Sequence, residues 1–170
     1  MNKYYYLVAS LPYLRFGERP PFTRKEFLSE CRKWLSIRDM ARILSLAKED
    51  YRVNKHDTES IIEWKKADLN LKKEIAAGRG KKRRKNLPEI SQKVKEIFEL
   101  KTPLQREQAI EKIRWDIIEG MKTKHHFDVH SIAFYFLKLQ IAARISGFDK
   151  EEGEAFFYRL CEVKYEQAKG

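Results

Sequence analysis

Residues 127–149, FDVHSIAFYFLKLQIAARISGFD, decide how the rest of the chain is read. Between Ile132 and Ile145 the strongly polar residues are Lys138, Gln140 and Arg144. A helix that is apolar on nearly every side is one surrounded by other helices. The stretch is too short and too interrupted to span a bilayer, which takes about 20 apolar residues. Asp128 offers a side-chain oxygen to the first-turn N–H groups, and Gly147 stands where the last turn closes. The expectation is the central helix of a small all-α domain.

Working outward, the same periodicity recurs on both sides. Upstream, Thr102, Pro103 and Gln105 form a helix start, and Ile110, Ile113, Ile117 and Met121 share a face with Arg114. Pro88 opens a shorter pattern through Ile90, Val94, Ile97 and Phe98. Asp57 or Thr58 begins a long helix ending near Gly78, with Ile61, Trp64, Ala67, Leu71 and Ile75 on one face. Thr23 with Glu26 is a capping box, and Ser36 with Asp39 marks another start. Tyr4 to Leu11 reads as a short helix or an extended arm, because no second strand pattern follows to pair with it. Downstream, Asp149 and Glu152 open a last helix presenting Phe156, Leu160 and Val163. The sum is one domain over residues 1–170, a compact bundle of about seven helices with short connections. Ile62, Leu69, Asn70, Leu71 and Ile75 resemble Ile132, Leu139, Gln140, Ile141 and Ile145. That is a weak sign of internal duplication, or of chance helical spacing.

The net charge of +11 is largely local. Six positive residues, Arg79, Lys81, Lys82, Arg83, Arg84 and Lys85, lie in the basic loop at 79–86. Lys81 to Lys85 are therefore candidate contacts for an acidic partner or anionic lipid headgroups. The run lacks the Walker spacing, which needs Ser or Thr where Lys82 stands. It also lacks interleaved aromatics, which disfavours nucleic acid as its partner. Cys31 and Cys161 are too few for a disulfide framework or a zinc site. MNKYYYLVASLP makes a poor signal peptide, so a cytoplasmic protein is expected.

Asp68 and Arg114 each interrupt an apolar face, and each would be expensive to bury alone. Pairing of Asp68 with Arg114 or Arg144 inside the bundle removes that cost. His126 and His130 have a spacing that could hold one metal. However, Phe127 and Asp128 place a helix start between them and there is no HExxH, so no metal and no cofactor is assigned. Trp64 belongs to the core. Trp115 stands off the Ile110–Ile117 stripe and must meet a second neighbour or a partner. No nucleophile–base or paired-carboxylate arrangement assembles from the spacing, so a non-catalytic scaffold or binding protein is expected.

Three stretches together, YYYLVASLPYLRFG, EWKKADLNLKKEIAAGR and the segment from Leu104 to Phe157, resemble an uncharacterised bacterial family. Its members are typically encoded among the subunits of V/A-type (vacuolar-like) ATPases. The residues that carry the likeness are Trp64, Asn70, Arg114, Trp115, Asp116, Phe127, Asp128, Lys138, Gln140 and Arg144. The resemblance implies the role of the C subunit of V-type ATP synthases, called d in eukaryotes. That component is an all-helical socket coupling the central rotor shaft to the membrane rotor ring, and it has no active site. The implied location is cytoplasmic, peripheral to the inner face of the cell membrane. A full-length member of that class has three similar helical units and is about twice as long, so this chain would supply part of such a socket. The rival reading is a helical nucleic-acid-binding protein using loop 79–85.

Overall fold

The computed structural model describes residues 4–47, 51–55, 57–79, 91–123 and 125–148. Among them are seven helices and no strand: α1 Tyr5–Ser10, α2 Arg24–Trp34, α3 Ile37–Ser45, α4 Glu59–Arg79, α5 Gln92–Glu99, α6 Pro103–Lys122 and α7 Val129–Ser146. The architecture is the expected all-α bundle. The basic run Lys81–Lys85, the proline at 88 and the helix expected after Asp149 lie outside the described residues.

Local chemistry explains most of the helix limits. Thr23 Oγ1 accepts from the Glu26 N–H at 3.3 Å, while the Glu26 carboxylate accepts from the Thr23 N–H at 2.6 Å. Thr102 and Gln105 repeat this box, with Pro103 at the first helical position. Ser36 accepts from the Asp39 N–H, and Asp128 from the Ser131 N–H at 2.8 Å. Each satisfies an N–H that the helix itself leaves unpaired. Helix α7 closes at Gly147 with a φ of −83°, so no left-handed residue is used there. Helix α4 begins at Glu59, directly after Thr58, one of the two expected starts. Asp57 sits just before it and is consumed by a buried ion pair with Lys65, Nζ to Oδ2 2.7 Å.

Helix α7 is central, with 11 of its 18 residues buried, which takes more than one neighbour to achieve. Lys138 and Arg144 of α7 pair with Glu119 and Glu111 of α6, in reverse order along the chain, so the two helices run antiparallel. Asp68 and Arg79 of α4 meet Arg114 and Glu107 of α6 the same way. The main core gathers Leu7, Phe27, Ile43, Ile61, Trp64, Trp115 and Ile118 around α7. A smaller cluster of Leu71, Ile75, Val94, Ile97 and Ile110 fills the far end of α4 and α6 under α5. Burial supports the possible repeat in part, Leu71 and Ile75 being buried like Ile141 and Ile145. Ile62 and Leu69 are only half-buried, whereas their counterparts Ile132 and Leu139 are fully enclosed.

The buried arc of α6 is rotated from the Ile110–Ile113–Ile117–Met121 stripe. Ile110, Glu111, Trp115 and Ile118 are buried, while Ile113, Ile117 and Met121 lie at its flank. The cause is that α6 is wedged between α4 and α7, and its enclosed side faces both.

Two glycines in helices separate packing from propensity. A Cβ on Gly78 would stand 2.1 Å from the Phe98 ring of α5, whereas one on Gly120 meets nothing within 4 Å. Gly120→Ala should stabilise by about 0.5–1 kcal/mol through helix propensity alone. Gly78→Ala gains the same propensity but meets an overpacking cost of about 1–3 kcal/mol, for a net loss. Urea midpoints of the two variants should move in opposite directions, and equal gains would show that Phe98 yields freely.

At the α1–α3 corner, Asp39 accepts hydrogen bonds from the Tyr4 hydroxyl, from Ser36 Oγ at 2.7 Å and from Arg42 at 2.5 Å. Burial pushes its pKa up, but the three donors outweigh this and hold it below the ordinary 3.8. A depressed carboxylate pKa adds stability above the unfolded-state value and loses it as pH falls through the folded one. Stability should therefore drop below about pH 4. The Asp39→Asn variant should be weaker at neutral pH and lose less on acidification; an unchanged acid limb in urea titrations would contradict this.

Candidate functional site

An ionic network in the interior joins three of the helices, α4, α6 and α7. Asp68, in the middle of the apolar face of α4, accepts from Arg114 Nε at 2.7 Å and from the Tyr51 hydroxyl at 2.6 Å. Arg114 Nη1 also donates to Glu111 at 2.7 Å, and Arg144 of α7 donates to the same Glu111 oxygen at 2.9 Å. Two carboxylates and two guanidiniums thus neutralise one another across α4, α6 and α7. Side-chain exposure is 8% for Asp68, 12% for Arg114 and 2% for Glu111, so little bulk water reaches these partners. Burial pulls the Arg114 pKa down, and the adjacent Asp68 and Glu111 carboxylates more than reverse that. A cavity of about 100 Å³ borders the network, lined also by Trp64, Lys65, Lys72 and Gln140. Gln140 reaches on to the Leu46 carbonyl at 3.4 Å and ties α7 to the end of α3.

The expected Asp68–Arg114 pair is therefore present, and Arg144 joins it through Glu111. The sequence does not single out Glu111, because i, i+3 pairs with Arg are common on solvated faces. The signal available was its place one turn before Arg114 on a helix with two apolar flanks.

A second buried charge lies farther toward the start of α7. Lys138 is 4% exposed, bonded to Glu119, with its ammonium 4.3 Å from the Trp115 ring centroid. Burial lowers the Lys138 pKa, with Glu119 opposing. Trp115 is enclosed and meets Phe16 edge-on at 5.6 Å, so its second neighbour lies within the chain. The remaining family-like residues separate. Asn70 and Asp116 are exposed, and Asp116 pairs with Lys112 on its own helix. Phe127 takes a left-handed φ of 56°, a conformation costly for a residue with a Cβ, and turns the chain into the Asp128 cap.

The histidines arrange themselves differently from the spacing argument. His125, not His126, lies against His130, their rings stacked at 4.3 Å, while His126 is exposed. His125 Nδ1 is 2.8 Å from Asp128 Oδ2, and burial holds the His130 pKa below 6.5. The Cys31 thiol is buried and pushed up to about 12 by its apolar surroundings, which leaves it a poor nucleophile.

No helix among the described residues is long and apolar enough to cross a membrane. A family model described as "Protein of unknown function (DUF2764)" matches residues 79–166, a span that includes α5, α6 and α7. No curated protein and no solved structure matches the chain.

Proposed function

We propose, for a chain that belongs to the DUF2764 family, a non-catalytic role in a V/A-type proton- or sodium-translocating ATPase or ATP synthase. In this reading the protein forms part of the socket between the central rotor shaft and the membrane rotor ring. It works at the inner face of the cell membrane, as a peripheral protein. One observation supports this most: the Asp68–Arg114–Glu111–Arg144 network, which locks α4, α6 and α7 to one another. Torque passes through a coupling element only if its helices do not slide. Charges paired across three helices in a low-dielectric interior resist sliding, because any shift leaves a carboxylate or guanidinium unpartnered. Arg114, Trp115, Lys138, Gln140 and Arg144, on which the resemblance to the ATPase-operon family rests, contribute to or border this interior.

The acidic shaft or the headgroups around the ring would meet Lys81, Lys82, Arg83, Arg84 and Lys85 in the basic loop. The test is co-purification with the shaft components and catalytic head of the same organism's V/A-type ATPase at two salt concentrations. A stoichiometric complex is expected, and neutralising residues 81–85 should loosen it at moderate salt without changing thermal stability. Clean separation at both salts would overturn the proposal. Tight, steeply salt-dependent binding to generic RNA in its place would assign the loop to nucleic acid.

A further inference from the structure

We propose that the protein carries a binding site for a first-row divalent cation of the Zn²⁺ type at the junction of α4 and α7. Its ligands are His125, Asp128 and His130. One donor atom from each of the three side chains lies within 4.8 Å of the other two. Ligands around zinc at about 2.0–2.2 Å from the ion stand about 3–4 Å apart. The His125 and His130 rings are stacked with planes at 24°, so one ring turns out of the stack to bring both lone pairs onto one ion. His125 Nδ1 and Asp128 Oδ2, at 2.8 Å, already have nearly that spacing.

The cluster is held from outside as ligand sets are. Ser60 Oγ, in the first turn of α4, lies 3.0 Å from His125 Nε2, and Thr58 Oγ1 lies 3.3 Å from His130 Nδ1. Such outer hydrogen bonds fix ring orientation and tautomer in metal sites. Asp128 divides its labour: Oδ1 accepts from the Ser131 N–H and hydroxyl, leaving Oδ2 toward His125. The α7 cap therefore survives when a cation takes the place between His125 Nδ1 and Asp128 Oδ2. Two imidazoles and one carboxylate suit Zn²⁺, Co²⁺ or Ni²⁺ rather than the all-oxygen preference of Mg²⁺ or Ca²⁺. Three protein ligands leave a coordination position for water or a small molecule. His125 also borders a cavity of about 250 Å³ lined by Phe127, Ser131, Tyr135 and Lys138, which gives such a molecule a way in. The site lies outside the ionic network and does not depend on the proposed assembly role.

The experiment uses the full chain stripped with EDTA, then dialysed against ZnCl₂ and assayed for bound metal and thermal stability. One Zn²⁺ per chain and a raised Tm are expected. His125→Gln and His130→Gln should each weaken binding about tenfold or more, and Ser60→Ala should weaken it less steeply. His126→Gln, at the exposed neighbour, should leave it unchanged. Absence of retained zinc in the wild type overturns the site, as does full stoichiometry in the His125→Gln/His130→Gln double variant. If those variants misfold, Co²⁺ titration of the wild type still decides. Intense ligand-field bands of a low-coordinate, imidazole-bound ion support the site, and a spectrum like that of the hydrated ion refutes it.

Discussion

Arg114→Met should lower the unfolding free energy by about 3–5 kcal/mol, the cost of removing one partner from a buried ion pair. The guanidinium is shared between Asp68 and Glu111, both at 2.7 Å. Without it the enclosed Asp68 loses its guanidinium, and Glu111 keeps only the bond from Arg144, whose side chain is 46% exposed. Tyr51 still donates to Asp68, but a hydroxyl does not balance a charge. The urea midpoint should fall with little change in slope, since the same surface is exposed on unfolding. Salt should rescue little of the loss, because buried charges are poorly screened. The triple replacement Asp68→Leu, Glu111→Leu, Arg114→Met should be far milder than the single one, since no unpaired carboxylate remains in the interior. A loss under about 1 kcal/mol for Arg114→Met would mean that the network behaves as a hydrated surface pair. It would also remove the main support for a stiff coupling element.

Phe136→Ala is the second large effect, again about 3–5 kcal/mol. Phe136 is fully enclosed and stacks on Phe27 of α2, with ring centroids 5.4 Å apart and planes at 11°. Phe27 in turn stacks with Tyr135 at 5.5 Å and Phe22 at 6.2 Å, so one ring holds α2 and its preceding connector to α7. Phe27→Ala should cost a similar amount. The double variant should fall short of the sum by about 0.5–3 kcal/mol, because the two rings occupy one contact. Strict additivity in denaturant titrations would show that α2 and α7 are stabilised independently.

Much of this molecule is legible in its sequence. The limits of α2, α3, α6 and α7 follow from Thr23, Ser36, Thr102 and Asp128, and the buried face of α4 follows from Ile61, Trp64, Leu71 and Ile75. The partnership of Asp68 with Arg114 is also readable, because a charge within an apolar face demands an opposite charge. These features rest on hydrogen bonds three residues apart or on a fixed helical repeat, both properties of the chain taken locally.

What the tertiary structure decided is which surfaces meet. Glu111 and Lys65 look like ordinary solvated residues, yet both are buried in ion pairs, Glu111 with Arg114 and Arg144 and Lys65 with Asp57. Trp115 turns inward onto Phe16 and Lys138, and His125 takes the place beside His130 that spacing offered to His126. Periodicity tells how wide an apolar stripe is, but leaves open how two helices are rotated and offset when they pack. A rotation of α6 by part of a turn exchanges Ile113 for Trp115 and brings Glu111 inside. The starts of α2, α3, α6 and α7 were thus determined by the sequence read locally. The charge network exists only because α4, α6 and α7 cross at one particular register, whereas the histidine cluster forms where the turn at Phe127 folds His125 back onto His130.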